Sequence, residues 1–372
     1  MDRKITDFIK KDLVKKLVFL VGPRQVGKTW LAKKITEKYG KPVYLNYDNS
    51  KDRTIIKDEA WLSDTDILIL DEIHKMRDWK NYIKGVYDTK PQNISILVTG
   101  SARIDILRQS GDSMAGRFYV HRIMPFSLSE LKETEYANDM ERLINRGGFP
   151  EPFLAESDND AQRWRNWYSD SLIREDVLDF ERINDFKAMK LVFEMLRQRV
   201  GSPLSYRSIA LDIGTSPATV MKYVRILEAL YIVFAIYPYS NNIARSILKE
   251  PKIYFYDNGL VDGDAGVKYE NFIALSLLKS IYLKNDLLGQ RKDLKYLRTK
   301  EGKEIDFCVV DNNKIEYVIE AKLTDDKASK NLIYFSDKYS LKGYQLVKDL
   351  RLERKINERI EVRAAGKFLP EM

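Results

Sequence analysis

The sequence predicts an α/β protein that begins with a parallel β-sheet and continues into two further domains. Over residues 1–150, short apolar runs alternate with helical patterns. A glycine-rich segment, residues 22–29, follows the first apolar run, and two acidic residues, Asp71 and Glu72, follow the third. Strands covered by helices on both faces are apolar at every position, so this alternation is typical of a parallel sheet.

The first domain contains five predicted strands. They are residues 17–21, 43–46, 67–70, 94–99 and 118–124, and the helices predicted between them include 29–39 and 79–89. The last run ends at Pro125, and a Gly-Gly-Phe-Pro break at 147–150 ends the alternating pattern. Proline and paired glycines interrupt regular structure, so we place the first boundary there.

The rest of the chain shows two other patterns. Residues 160–237 have mostly helical periodicity, with a strand at 231–237. A helix at 269–283 then precedes strands at 294–298, 304–310 and 315–320. We therefore predict three domains, which span residues 1–150, 151–252 and 253–372.

Length and composition exclude several classes of protein. The chain has 372 residues, too many for one ordinary core, and 44% are hydrophobic, which excludes an intrinsically disordered chain. The net charge of +8 suits either a polyanionic partner or an ordinary basic surface. One cysteine, Cys308, and two histidines leave no internal disulfide and no Cys/His zinc cluster. No apolar run approaches 18 residues, so we expect no membrane partner and a cytoplasmic location.

Residues 22–29 match the phosphate-loop pattern G-x-x-x-x-G-K-[ST]. An apolar strand enters the segment and a helix leaves it, which is the context that this motif requires. Backbone N–H groups would wrap an anion, Lys28 would reach the β- and γ-phosphates, and the Thr29 hydroxyl would bind Mg²⁺. The predicted nucleotide-binding residues are Gly22, Pro23, Arg24, Gln25, Val26, Gly27, Lys28 and Thr29.

Two carboxylates end the strand at 67–70. Asp71 can hold Mg²⁺ through its water shell, and Glu72 is placed to polarise an attacking water. Downstream, Ser101 is our preferred sensor of the γ-phosphate, with Thr99 as the rival. Arg117 is the preferred arginine finger because Gly116 precedes it, and two other arginines remain open for this role, Arg103 and Arg108.

A helix–turn–helix pattern occupies residues 205–229. Gly214 suits the tight turn, Ser216 suits the cap of the second helix, and Pro217 suits its first position. Thr219, Lys222, Tyr223 and Arg225 are predicted to face outward, with the strand at 231–237 as a wing. Residues 186–252 carry ten Lys/Arg against four acids, a net +6. Contact with DNA and simple domain packing are both open for this segment.

Three acidic residues and a lysine mark the last domain. The strands at 304–310 and 315–320, joined by a tight turn, would bring Asp306 and Glu320 together, with Lys322 on the same face. Two carboxylates that hold Mg²⁺ and a lysine that orients water are the working groups of metal-dependent phosphodiester hydrolysis. Glu270, near the start of the preceding helix, could supply a further ligand.

These motifs together resemble a prokaryotic family of AAA+-type ATPases. The resemblance rests on residues 22–29, 70–73, 99–101, 115–117, 125–130 and 148–150, and on Glu270-Asn271, Glu304-Ile-Asp306 and Glu320-Ala-Lys322. It implies an ASCE-type P-loop sheet ordered 5-1-4-3-2, ATP as the nucleotide, a winged-helix domain and a C-terminal domain similar to PD-(D/E)xK nucleases.

Three functions are compatible with these features. The first is an ATP-driven, DNA-associated enzyme that hydrolyses ATP and cleaves nucleic acid. The second is an ATP-dependent molecular switch whose nuclease-like domain only binds. The third is a protein-remodelling ATPase whose basic region meets acidic partners. The sequence leaves open whether the protein forms a homo-oligomer.

Overall fold

The computed structural model describes residues 3–61, 63–100, 114–172, 185–240, 249–324 and 327–372. The chain divides into two units, Met1–Met124 and Pro125–Met372.

The first unit is a five-stranded parallel sheet with helices. Its strands are β1 Leu17–Val21, β2 Pro42–Asn46, β3 Ile67–Asp71, β4 Ser95–Thr99 and β5 Phe118–Arg122. Its helices are α1 Thr6–Leu13, α2 Lys28–Thr36, α3 Ser50–Lys57 and α4 Trp79–Thr89. The strand order is β2-β3-β4-β1-β5, and every pairing is parallel. The expected order 5-1-4-3-2 is confirmed.

Burial explains why these segments form strands. Every residue of β1 and β3 is buried, and β4 is buried everywhere except at Ser95. Helices that cover both faces of a parallel sheet require this continuous apolar pattern. Strand β5 is shorter than predicted because its ladder with β1 runs from Leu17–Phe118 to Val21–Arg122 and ends where β1 ends.

The second unit begins with helices. They are α5 Leu128–Leu131, α6 Met140–Arg146, α7 Pro150–Leu154, α8 Asp158–Ser171, α9 Phe186–Arg197, α10 Tyr206–Ile213 and α11 Pro217–Ala229. The predicted turn chemistry is present between α10 and α11. Gly214 is left-handed with φ 69°, and the Ser216 side chain accepts the N–H of Thr219. Pro217 occupies the first turn of α11.

An eight-stranded sheet completes this unit. Its elements are β6 Val233–Pro238, β7 Lys252–Phe255, α12 Ala265–Leu288, β8 Lys292–Arg298, β9 Glu304–Asp311, β10 Lys314–Lys322, α13 Lys330–Tyr339, β11 Lys342–Val347, β12 Arg354–Lys355, β13 Ile360–Ala364 and α14 Ala365–Glu371. The order is β12-β13-β11-β10-β9-β8-β6-β7. Strand β6, the expected wing, pairs with β7 and also with β8, so it belongs to the sheet that carries Asp306.

Helix α12 is longer than predicted at both ends. The Asp264 side chain accepts the N–H of Val267 at its start, and left-handed Gly289 (φ 64°) ends it. Among the helices that the structure describes, none is both long enough and apolar enough to cross a membrane.

Candidate functional site

The phosphate loop lies between the end of β1 and the start of α2. Gly22 and Gly27 have φ of 138° and 97°, and Gln25 also has positive φ, at 60°. Only glycine adopts the Gly22 conformation readily, and a Cβ there would lie 2.1 Å from the carbonyl oxygen of Ile123. The sequence motif therefore forms a tightly wound loop at the carboxyl edge of the sheet.

Lys28 spans this loop. Its side chain is buried, and Nζ donates to the carbonyl oxygens of Gly22 at 3.0 Å and Pro23 at 2.7 Å. A cation held by neutral carbonyls at the helix start can exchange them for phosphate oxygens, which bind it more strongly. The position fits the predicted phosphate contact.

Arg3 braces the loop, which sequence reasoning missed. Its guanidinium is buried and donates to the carbonyl oxygens of Val26 at 2.7 Å and Met124 at 3.1 Å. Nothing in the local pattern indicated this, because the arginine precedes the first strand and its partners lie 23 and 121 residues away.

The carboxylate of Asp71 accepts hydrogen bonds from three neighbouring hydroxyl groups. The register of β3 sets Asp71 beside Asn46 on β2 and Thr99 on β4. Its carboxylate accepts hydrogen bonds from Thr29 Oγ1 at 3.0 Å, from the Tyr44 hydroxyl at 2.6 Å and from Thr99 Oγ1. Burial and the hydrogen bond to Asp71 raise the pKa of Tyr44, so its hydroxyl keeps its proton and remains a donor. An ionised carboxylate beside the loop threonine is a hard oxygen donor set that fits Mg²⁺.

Glu72 follows Asp71 in a left-handed conformation, φ 55°. Its Oε2 lies 3.5 Å from His74 Nε2 and 3.8 Å from Lys75 Nζ. Burial raises the pKa of Glu72, and the charge of Asp71 raises it further, while Lys75 opposes the shift. A carboxylate with a raised pKa is a better proton acceptor, which fits the predicted base.

The second unit holds the other predicted cluster. The antiparallel register of β9 and β10 pairs Phe307 with Ile319, so Asp306 and Glu320 lie side by side. Asp306 Oδ2 accepts the N–H of Ala321 at 2.9 Å, and Lys322 Nζ lies 2.9 Å from Glu320 Oε1. Burial and the charge of Asp306 raise the pKa of Glu320 to about 7. Glu320 Oε2 is buried and has no hydrogen-bond partner among the described residues.

Lys252 also belongs to this cluster, although it is one of the ten basic residues of the segment 186–252. Its side chain is 2% exposed. Its Nζ lies 2.7 Å from Glu304 Oε1 and 3.6 Å from Glu270 Oε1. Glu270 also accepts a hydrogen bond from the Tyr254 hydroxyl at 2.7 Å. Burial, with the charge of Asp306, raises the pKa of Glu270 to about 7.

These contacts bear on metal binding. Within the described ranges, no group of three or more His, Cys, Asp or Glu side chains is arranged to hold a metal ion. Glu270, Asp306 and Glu320 are therefore not arranged as a set of three ligands in this structure. Glu270 lies close enough to Asp306 for that charge to add to the effect of burial in raising its pKa, and its carboxylate pairs with Lys252. The oxygen donors that fit a hard cation here are Asp306 and the unpaired oxygen of Glu320.

Residues 14–132 match the family model described as an AAA domain. Together with the strand order and the loop after β1, this match identifies the first unit as a P-loop ATPase fold. Residues 137–269 and 265–364 match two domains of unknown function, DUF8612 and DUF4143. Neither description mentions a nuclease, so the nuclease-like character of the last part stays a prediction.

Related proteins cover most of the chain. An uncharacterized protein of Mycobacterium tuberculosis is 25% identical over 79% of this chain and 67% of its own length. An uncharacterized protein of Methanocaldococcus jannaschii is 21% identical over 91% of this chain and 80% of its own length. Among solved structures, the Walker-type ATPase of Pyrococcus abyssi matches 70% of this chain and 94% of its own, with 14% identity and a TM-score of 0.46.

The predicted sensor and finger residues of the first unit lie only partly within the described residues. Ser101, Arg103 and Arg108 lie outside the described residues. Thr99, the rival sensor, is fully buried and donates to Asp71. This bond ties the end of β4 to the end of β3.

Arg117 lies at the opposite edge of the first unit's sheet from the phosphate loop. Its carbonyl accepts the N–H of Leu17, the first residue of β1, whereas the phosphate loop follows the last one. A five-residue strand separates these edges by roughly 16 Å. The guanidinium donates to Asp88 at 2.8 Å. Arg117 therefore lies at the sheet edge away from the phosphate loop, paired with Asp88, and its role as an arginine finger stays a prediction.

The helix–turn–helix face is smaller than predicted. Lys222 and Arg225 are exposed on α11, as expected. Tyr223 was predicted to face outward, but it is 5% exposed and its hydroxyl donates to the carbonyl oxygen of Asp185. Ile226 of α11 is buried as well. Tyr223 therefore belongs to the core and not to a binding surface.

Proposed function

We propose that the first unit binds ATP with Mg²⁺ and hydrolyses the bond between its β- and γ-phosphates. The observation that carries this proposal is the buried carboxylate of Asp71, held by three hydroxyl groups directly beside the phosphate loop. Such a network orients one carboxylate toward the threonine that ends the loop motif. The match of residues 14–132 to an AAA domain supports the same activity.

The residues divide the work by position. Loop N–H groups and the start of α2 bind phosphate oxygens, because the helix N-terminus carries positive potential. Lys28 transfers its hydrogen bonds from the Gly22 and Pro23 carbonyls to the phosphates. Thr29 and Asp71 would hold Mg²⁺, which when bound neutralises charge on the transferred group. Glu72 accepts a proton from the attacking water.

The test uses the full chain and three variants. Lys28→Ala should lose ATP binding in a fluorescent-nucleotide titration, because the cation in the loop is gone. Glu72→Gln should bind ATP but hydrolyse it at least 100-fold more slowly, the usual loss when a general base is removed. Lys57→Ala, an exposed lysine at the end of α3, is the matched control and should retain both activities. Wild-type turnover by Glu72→Gln would contradict the base assignment.

We further propose that the second unit acts on nucleic acid. Two observations favour this over a pure switch or a protein-remodelling role. Lys222 and Arg225 are exposed on the second helix of the helix–turn–helix, and Glu320 keeps a buried oxygen without a partner beside Asp306. With a divalent cation on Asp306 and Glu320, Lys322 would orient water toward a phosphodiester. We retain 151–252 and 253–372 as the proposed helical and nuclease-like domains.

Three measurements separate these possibilities. Calorimetric titration with Mn²⁺ should show binding by wild type and weak or no binding by Asp306→Asn. In a cleavage assay, wild type should cut linear DNA and Asp306→Asn should cut it weakly or not at all. Metal binding without cleavage would favour the ATP-dependent switch. Equal Mn²⁺ affinity in wild type and Asp306→Asn would contradict the proposed metal site. Charge reversal of Lys222 and Arg225 should flatten the salt dependence of DNA binding by about two units. An unchanged slope would assign α11 to packing.

We place these activities in the cytoplasm. The proposal rests on cysteine usage, since the one cysteine, Cys308, is buried and cannot form an internal disulfide.

A further inference from the structure

A cavity of about 650 Å³ opens in the second unit beside α13. It is formed by the C-terminal half of α13, the turn between β8 and β9, the start of β10 and the residues after β6. Cavities of about 300–1,000 Å³ are the usual size for small organic ligands. None of its lining residues belongs to the phosphate loop or to the Asp306–Glu320 pair.

Aromatic rings form part of the wall. Phe335 is buried and stacks on Tyr339, with ring centroids 5.9 Å apart and planes 24° apart. Tyr339 is 51% exposed. Its ring is therefore supported by Phe335 while still accessible to a planar group. Tyr239 lines the same cavity.

The polar lining is strongly cationic. It contains Arg298, Lys300, Lys314 and Lys338 against one acid, Glu301. Arg298 is partly neutralised, because its Nη1 lies 3.4 Å from Glu304.

Hydrogen bonds lower the pKa of the lining acid, Glu301, and the nearby charges of Lys338 and Lys300 lower it further. This one carboxylate leaves the lining with a net positive charge. Within the described part of the chain, no carboxylate lies in ion-pair distance of Lys300 or Lys314. Lys338 Nζ donates to the Tyr334 hydroxyl at 2.8 Å and lies 5.4 Å from the centre of the Tyr339 ring. The positive charge thus lies next to the exposed aromatic ring.

We propose that this cavity binds a nucleotide unit, with its base stacked on Tyr339 and its phosphate on Lys300, Lys314 and Lys338. A stacking surface beside a cluster of cations is the combination that binds single-stranded nucleic acid without strong sequence preference. A free nucleoside monophosphate presents the same base and phosphate. Binding here requires neither the ATP site nor a metal at Asp306, so it can hold or fail independently of the function proposed above.

The test measures fluorescence anisotropy of a labelled ten-residue oligothymidylate with the full-length protein. Tyr339→Ala should weaken binding by about tenfold, within the range expected for one lost base stack, whereas Tyr339→Phe should bind like wild type. Joint reversal of Lys300 and Lys338 to Glu should reduce the slope of log affinity against log salt by about 1.4, since each phosphate contact on a single strand contributes about 0.7. Lys330→Glu, an exposed lysine on the same helix outside the cavity, is the control.

Competition with thymidine monophosphate distinguishes the two sources of the ligand. Displacement of the oligonucleotide from wild type shows that one nucleotide suffices, and no displacement shows that an extended strand is needed. Either result supports the proposed site, provided that Tyr339→Ala binds the oligonucleotide more weakly than wild type. The lysine double variant keeps the test valid if Tyr339→Ala fails to fold. Wild-type affinity and salt slope in both variants, or no binding by wild type, would overturn the proposal.

Discussion

Replacing Lys252 with Met should destabilise the second unit strongly. The substitution keeps an unbranched apolar stem and removes only the ammonium group. Lys252 is 2% exposed, and its Nζ lies 2.7 Å from Glu304 and 3.6 Å from Glu270. Without the cation, Glu304 and Glu270 lose their shared counter-charge in a largely buried site, and the pKa of Glu270, already raised by burial to about 7, should rise further.

The structure sets the size of the effect. Removing one partner of a buried ion pair costs about 3–5 kcal/mol. The side chains of Glu304 and Glu270 are each 24% exposed, so some water reaches them and we expect the lower end, about 3 kcal/mol. For a unit that spans residues 125–372, each kcal/mol lowers Tm by about 2–4 °C, which gives a decrease of roughly 6–12 °C.

Differential scanning calorimetry of the full chain measures this decrease. The transition of the second unit should move, while Lys330→Met, an exposed lysine of the same unit, should change the unfolding free energy by less than about 0.5 kcal/mol. Adding Glu304→Gln to Lys252→Met should recover part of the loss, because one unpaired charge is removed. If Lys252→Met melts like the control, the buried pairing does not stabilise the fold and our reasoning is wrong.

Three further predictions concern other parts of the chain. Tyr44→Phe should lower the unfolding free energy of the first unit by about 1.5 kcal/mol in calorimetry, because a hydroxyl bond to the charged Asp71 is lost; no change would mean that the bond is not formed in solution. Gly22→Ala should abolish fluorescent-nucleotide binding, since a Cβ would lie 2.1 Å from the Ile123 oxygen, and normal binding would show that the loop adopts another path. Burial raises the pKa of Glu228 from 4.5 to about 7, so its stabilising contribution is complete below pH 4.5 and is lost as the pH rises through 7. Urea denaturation across this window should show a decrease of at most about 3 kcal/mol that is absent in Glu228→Gln, and parallel profiles would refute the shift.

Local chemistry determined much of the fold in advance. The apolar run at 17–21 and the helix at 79–89 form with the predicted bounds, since continuous burial and helical periodicity are both visible within a short window. The turn between α10 and α11 follows from Gly214, Ser216 and Pro217, whose conformational preferences act within a few residues. The phosphate loop belongs to the same class, because its glycines set the backbone directly.

The hairpin itself was predictable, but the register that brings Asp306 to Glu320 was not. The turn alone pairs Asp311 with Lys314 and would set Asp306 opposite Ile319. A β-bulge between Ile315 and Tyr317 shifts the register by one residue, so that Phe307 pairs with Ile319 and Asp306 faces Glu320. Sequence alone could not show that Lys322 pairs with Glu320 Oε1 while Glu320 Oε2 has no partner among the described residues. That depends on what else packs around the hairpin.

Sequence by itself determined where the buried strands of the first sheet lie along the chain, the loop motif and the N-terminal cap of α11, since these follow from neighbours along the chain. The strand order was implied by the family resemblance. Only the tertiary structure decided that Lys252 is buried against Glu304, that Tyr223 turns inward, and that Arg3 supports the phosphate loop. The physical reason is the same in each case. A charged or aromatic side chain is compatible with both surface and interior, and the choice depends on whether distant residues supply its hydrogen bonds and counter-charges when the chain folds.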